Sequence, residues 1–353
     1  MSRDAARAKP NSRERKQRGD AVTADLRALG VAVGHATDND GATGVTVVRG
    51  IDAPFRAGAS VFGRAAGTRE LHTLAVDHLV ERVDAVMLTG GSAYGLDAAA
   101  GVMRWMEERG RGFTVPGGVV PIVPAAVIFD LAPLGRFDAR PTATMAYEAC
   151  DRAVPNDFPE GSVGAGAGAT VGKIAGPSRA MKGGFGCAVE SIGDWRVAAM
   201  AVVNALGDVR DAAGRIIAGA RAEDDAPRAR RFVDASRQLA TVSAGERRLA
   251  NRLGAAAATN TTLCVVATDA PLGRVELTQL ARAAGAALFR RITPTGTSVD
   301  GDVVFALGPA TPPKPLGNAA MSIETLAVAA LEGAIERAVR TAHGRDGVPG
   351  LAD

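Results

Sequence analysis

A threonine needs no histidine to act as a nucleophile when it is the first residue of a chain. Its own α-amine, with a pKa of about 7.7–8.0, then lies beside the hydroxyl and can take its proton. In this 353-residue sequence the stretch "AAAATNTTLCVVATDAPL" offers such a residue. Thr261 follows Asn260 at the mouth of the apolar run Leu263–Ala267, which is short, β-branched-rich and reads as a core strand. To be released, Thr261 Oγ must attack the Asn260 carbonyl, and water must hydrolyse the resulting ester. The chain order suits that route: a charged excursion, small residues, Asn-Thr, then a rigid strand holding the nucleophile. The plainer reading of Asn260 and Thr261 is a turn and the first residue of a strand.

Other chemistries fit less well. In "GSVGAGAGATVGKIAG" the phosphate-loop spacing requires glycine at Ala167 and Ser or Thr at Ile174, so the motif fails twice. Close backbone packing explains the glycines, but not an isolated lysine, Lys173, among them. "GGSAYG" resembles a nucleophile elbow centred on Ser92, yet Tyr94 stands where glycine is needed. The one histidine downstream, His343, falls in the terminal loop, so a Ser-His-Asp hydrolase is disfavoured. Asp300-Gly301-Asp302 reads as a cation loop or, more simply, as a turn before a strand. The four histidines contain no HExxH, and Cys150, Cys187 and Cys264 lie far apart without a CxxC. No metal or cofactor is expected, and the thiols suit a reducing, cytoplasmic compartment.

The elements that must position these residues are legible in outline. Strands are predicted at 44–49, 85–88, 263–267 and 302–307, and "GFGCAVESIG" with "RVAAMAVVNALGDV" forms an antiparallel pair. Helices are predicted over 69–81, from the glycine turn "TGGSAYG" up to Gly110, over "RVELTQLARAAGAALFRRI", and over 321–341. Residues 208–250 read as a mobile surface excursion. Residues 1–20 carry seven Lys/Arg against three acids, which leaves the rest of this +3 chain at −1. The basic excess therefore belongs to a disordered tail, 1–20, ahead of a single catalytic domain, 21–353. No apolar run is long enough to span a membrane, and the body has no nucleic-acid character. The pattern is an α/β layered domain.

The ordered set "DGATGVTVV", "MLTGGSAYGLDAAAGV", "VPAAVIFDL", "GSVGAGAGATVGK", "VAAMAVVNALGDV", "NTTLCVVATDA" and "SVDGDVVFAL" resembles the DmpA-like L-aminopeptidase/D-esterase family. That family includes β-peptidyl aminopeptidases and the nylon-oligomer hydrolase. The resemblance runs from about Gly41 to Glu336 and implies a four-layer αββα sandwich of the DmpA/ornithine-acetyltransferase type. It also implies self-cleavage at Asn260–Thr261, leaving 1–260 and 261–353 in one fold. By the same resemblance Asn204 helps hold the oxyanion, Lys173 lies near the nucleophile, and Asp300 and Asp302 orient the new amine. Phe129 stands where some members place a tyrosine by the active site. The implied activity is hydrolysis of small peptides, amino-acid amides or amide oligomers by a homo-oligomer. An ornithine-acetyltransferase-type acyltransferase and a processed scaffold without turnover are the competing readings.

Overall fold

Every residue of the strand Thr261–Thr268 is buried, and its side chains leave alternately toward two different cores. Leu263, Val265 and Ala267 enter one cluster, Cys264 and Val266 another. A strand covered on both faces must lie inside a layered stack, and the computed structural model shows that stack. It describes residues 24–223, 231–241 and 259–353. The basic tail 1–20 falls outside the described residues.

Two sheets form the centre. One has the order β1-β2-β6-β9-β4, built from β1 (Val31–Asp38), β2 (Thr43–Gly50), β6 (Ala85–Thr89), β9 (Ala125–Val127) and β4 (Gly67–Arg69). The other has the order β12-β13-β16-β18-β3-β5. Its strands are β12 (Gly184–Ile192), β13 (Trp195–Asn204), β16 (Thr261–Thr268), β18 (Gly301–Pro309), β3 (Phe55–Gly63) and β5 (Arg82–Val83). Small pairings complete the set: β7 (Phe113–Val115) with β8 (Gly118–Val120), and β10 (Thr170–Val171) with β11 (Met181–Lys182). A three-stranded sheet joins β14 (Asp208–Arg210), β15 (Ile216–Ala218) and β17 (Ile292–Thr293).

The inner faces of the two large sheets meet in one core, with Val31, Val48 and Leu88 from the first against Phe185, Met200 and Phe305 from the second. Outside the first sheet, Val45, Val47 and Met87 pack on the helices Ala99–Glu107 and Ala143–Asp151 through Val102, Met106 and Ala146. Outside the second, Val197, Cys264 and Val304 meet the helices Arg274–Ala284 and Ala319–Arg340 through Leu277, Leu280, Leu331 and Ile335. Helix, sheet, sheet, helix: this is the αββα sandwich. Each fully buried Leu, Val or Phe contributes about 1.5–3 kcal/mol of transfer free energy, so the three cores fix the strand register firmly.

Three sequence expectations change. Residues 69–81 are not one helix. Arg69 ends β4, Glu70 is left-handed at φ 52°, and only Leu71–Leu74 makes a 3-10 turn. The reason is tertiary: the Arg274 guanidinium donates to the carbonyls of Thr73, Ala75 and His78, and a helix over 69–81 would have used the first two itself. The helix over 274–291 breaks at Gly285, where a Cβ would meet the Phe62 ring at 2.1 Å. The excursion at 208–250 is also structured where it is described. Residues 208–218 supply β14 and β15, and Ala235 is buried, its N–H held by Asp208 Oδ2 at 2.7 Å. Residues 224–230 and 242–258 lie outside the described residues.

Candidate active site

Sheet order brings the chemistry-bearing residues together. β13 and β16 are antiparallel, so the C-terminal residue of one, Asn204, lies opposite the N-terminal residue of the other, Thr261. β16 and β18 are parallel, so the start of β18 lies at that same end, where Asn260 bridges Asp300. Lys173 arrives from the glycine-rich loop. Gly172, at φ 70°, turns the chain where a Cβ would come within 2.0 Å of Ala220 N, and the N–H groups of Gly172 and Lys173 bond to the carbonyls of Gly207 and Leu206. This is the physical reason for glycine before that lysine.

The geometry at the Asn260–Thr261 bond is tight. Thr261 Oγ1 donates to the Asn260 carbonyl oxygen at 2.6 Å, and the Gly301 N–H donates to the same oxygen at 3.0 Å. Lys173 Nζ donates to the Asn204 carbonyl (3.1 Å), Asn204 Oδ1 (2.9 Å) and the Thr259 carbonyl (2.9 Å). Asn204 Nδ2 donates to the carbonyls of Thr259 and Phe129, each at 3.1 Å. Burial strips the Lys173 ammonium of hydration and lowers its pKa to about 7, against the opposing pull of Asp300 and Asp302. An amine poised at that value exchanges protons near neutrality.

The two aspartates are present but bonded to groups other than Thr261. Asp302 Oδ1 accepts the Thr262 N–H at 2.6 Å, and Oδ2 accepts Thr295 Oγ1 at 2.7 Å and the Gly296 N–H at 3.2 Å. Burial, then the neighbouring Asp300, raises its pKa to about 6. Asp300 Oδ2 accepts from the backbone and hydroxyl of Thr297. Neither carboxylate bonds to Thr261. Two further donors belong to the site without a side-chain signal in the sequence: Gly301, whose amide donates to the Asn260 carbonyl, and Thr170, whose N–H donates to Asn204 Oδ1 at 3.0 Å. Phe129 does reach the site, through its carbonyl. Among the described residues no group of three or more His, Cys, Asp or Glu is arranged to hold a metal.

A buried threonine that opens a strand inside an αββα sandwich, its hydroxyl against the preceding carbonyl, is the arrangement that N-terminal-nucleophile chemistry requires. The chain belongs to Peptidase family S58, whose profile matches residues 25–351. An uncharacterized aminopeptidase of Mycobacterium bovis is 42% identical over 321 residues, covering 86% of this chain and 87% of that protein. A 6-aminohexanoate-oligomer endohydrolase of Kocuria sp. is 32% identical over 318 residues, covering 86% of this chain and 81% of that one. Among solved structures, the L-aminopeptidase D-Ala-esterase/amidase of Ochrobactrum anthropi, described as a variant of the Ntn hydrolase fold, matches with a TM-score of 0.68. It shares 20% identity over 98% of this chain and 96% of its own. A Burkholderia sp. β-aminopeptidase matches with a TM-score of 0.66 at 20% identity, over 94% of this chain and 93% of that one.

Proposed function

We propose that the chain cuts itself between Asn260 and Thr261, and that the freed Thr261 hydrolyses amide bonds of small peptides, amino-acid amides or amide oligomers. The observation that supports this reading is the 2.6 Å contact between Thr261 Oγ1 and the carbonyl oxygen of the bond to be cut. In self-cleavage Oγ bonds to the Asn260 carbonyl carbon and passes its proton to Lys173 in its neutral form. The Gly301 N–H faces the oxygen that becomes negative. The C–N bond breaks, the Thr261 nitrogen takes the proton, and water hydrolyses the ester to a carboxylate at Asn260 and a free threonine.

The uncut chain also rehearses turnover. The Thr259 carbonyl lies between Asn204 Nδ2 and Lys173 Nζ, two donors that a substrate oxyanion would need. When residues before Thr261 withdraw, that pair becomes available. Thr261 is only 4% exposed while the chain is whole, so withdrawal also opens the nucleophile to substrate.

Asp302 acts on the new amine of Thr261. Bonded to the N–H of the next residue, it lies close enough to favour the ammonium form and to fix which way the amine faces. Asp302→Asn should therefore lower kcat strongly and move the acid limb of the pH–rate profile to lower pH, because a negative charge that raised the amine pKa is gone. EDTA should leave the wild-type rate unchanged. Full activity in the variant, or a loss in EDTA restored by a divalent cation, would overturn this role.

Incubating the protein with aminoacyl amides, dipeptides and linear or cyclic amide oligomers, read by mass spectrometry, tests the activity. Release of free acid supports the hydrolase. Transfer of the acyl group to an added amine, with no free acid formed, would establish an acyltransferase instead, and a processed protein inert to the panel would point to a scaffold. We read the assembly as a homo-oligomer, a reading that rests on the family resemblance. A cytoplasmic location is supported by three free, buried cysteines. No helix among the described residues is long and apolar enough to cross a membrane.

A further inference from the structure

An asparagine amide can be placed in its site in two ways that differ by a half-turn, and only one presents its N–H₂ group to an oxyanion. At Asn204 two backbone groups decide the matter together with Lys173, whose Nζ donates to Oδ1 at 2.9 Å. The Thr170 N–H can only donate and meets Oδ1 at 3.0 Å, and the Phe129 carbonyl can only accept and meets Nδ2 at 3.1 Å. A reversed amide would set donor against donor and acceptor against acceptor. Each of these two backbone groups adjoins a buried charge that the mechanism above does not use.

Lys182 is fully buried and pairs with Thr170 in the ladder between β10 and β11. Its Nζ donates to the carbonyls of Ala167 (2.7 Å), Ala169 (2.9 Å) and Gly166 (3.4 Å), so its hydrogens all go to the loop that ends at Thr170. Asp130 is fully buried beside Phe129, and its carboxylate accepts the Gly91 N–H and Thr43 Oγ1, each at 2.7 Å. The loop passes between the two charges: a Cβ on Gly168 would come within 2.7 Å of Asp130 Cβ. Lys182 and Asp130 attract one another across it. A lysine and an aspartate are costly to bury, and each costs more alone than with the other nearby.

We propose that Lys182 and Asp130 are positioning residues for Asn204: Lys182 fixes the loop that presents the Thr170 N–H, and Asp130 fixes the segment that presents the Phe129 carbonyl. The inference rests on the reading of Asn204 as the oxyanion donor. Neither charged group touches the reacting atoms, so each acts only through the direction of the Asn204 amide.

A double-mutant cycle on the processed protein tests this. Lys182→Met keeps the stem and removes the ammonium. It should lower kcat by up to about 10²-fold, the cost of a small misplacement at a reacting centre, with KM little changed. Asn204→Ala should lower kcat by about 10²–10³. In the Asn204→Ala background, Lys182→Met should then lower kcat no further, since the group it positions is gone. Losses that multiply in the double variant would overturn the positioning role while leaving Asn204 as the donor. An unchanged kcat in folded Lys182→Met would do the same. An unchanged kcat in processed Asn204→Ala would remove the donor role and the inference together. Asp130→Asn, nearly isosteric and still able to accept the Gly91 N–H, runs the same cycle from the other side if Lys182→Met does not fold.

Discussion

Purified wild-type protein should separate under denaturing conditions into two chains, residues 1–260 and 261–353, and the shorter should begin Thr-Thr-Leu-Cys. Thr261→Ala should remain a single chain and show no turnover, because it lacks the one oxygen placed against the Asn260 carbonyl. Thr261→Ser should still cut, since a serine hydroxyl supplies the same chemistry with one methyl fewer. N-terminal sequencing and intact mass read all three. Wild-type protein that is active while wholly uncut would sink the proposal. So would a cut that maps anywhere else.

The second large effect belongs to Lys173. Lys173→Met should slow self-cleavage by about 10²–10⁴-fold, the range expected when a general base is removed. The wild-type rate should climb as pH rises through about 7, since the amine accepts a proton only once it has lost its own. Below that value Lys173 is an ammonium and cannot take the Thr261 hydroxyl proton. Asp302 adds to the same trend, because it becomes a full carboxylate only above about 6. A time course of cutting, started by a pH jump on protein isolated in acid, gives both numbers. A rate equal to wild type in Lys173→Met, or one that falls with pH across this window, would exclude Lys173 as the base.

The strands of the central sheet were the most legible part of the sequence. The run at 263–267 lies within β16, 302–307 within β18, and the antiparallel pair is β12 with β13. Long apolar runs of β-branched residues allow few alternatives when both faces are buried. The final helix, expected at 321–341, spans Ala319–Arg340. What sequence could not show was set by partners distant in the chain. Nothing near residues 69–81 announces that Arg274 will take their carbonyls. β3 pairs along its whole length with β18 yet carries little strand signal of its own, because "FRAGASVFG" mixes glycine and arginine into its pattern. At the site, side-chain identities were visible, but the oxygens they serve were not. Asn204 and Lys173 both hold the Thr259 carbonyl, and the Asn260 oxygen is held by the Gly301 amide.

The order of the six-stranded sheet would make the proposed cut a one-way event. β16 and β18 belong to residues 261–353, and they lie between β13 and β3, which belong to residues before the cut. A protein severed at Asn260–Thr261 would keep the ladders of β16 with β13 and of β18 with β3, yet its folding would become the meeting of two molecules. Association at the 1 M standard state costs on the order of 4–15 kcal/mol that the continuous chain never has to meet. The uncut chain would therefore carry a folding competence that the cut form lacks, and the cut form would persist by unfolding slowly rather than by readily re-forming. Recovery after denaturation should depend on protein concentration for the processed enzyme, and should be independent of it for the Thr261→Ala precursor.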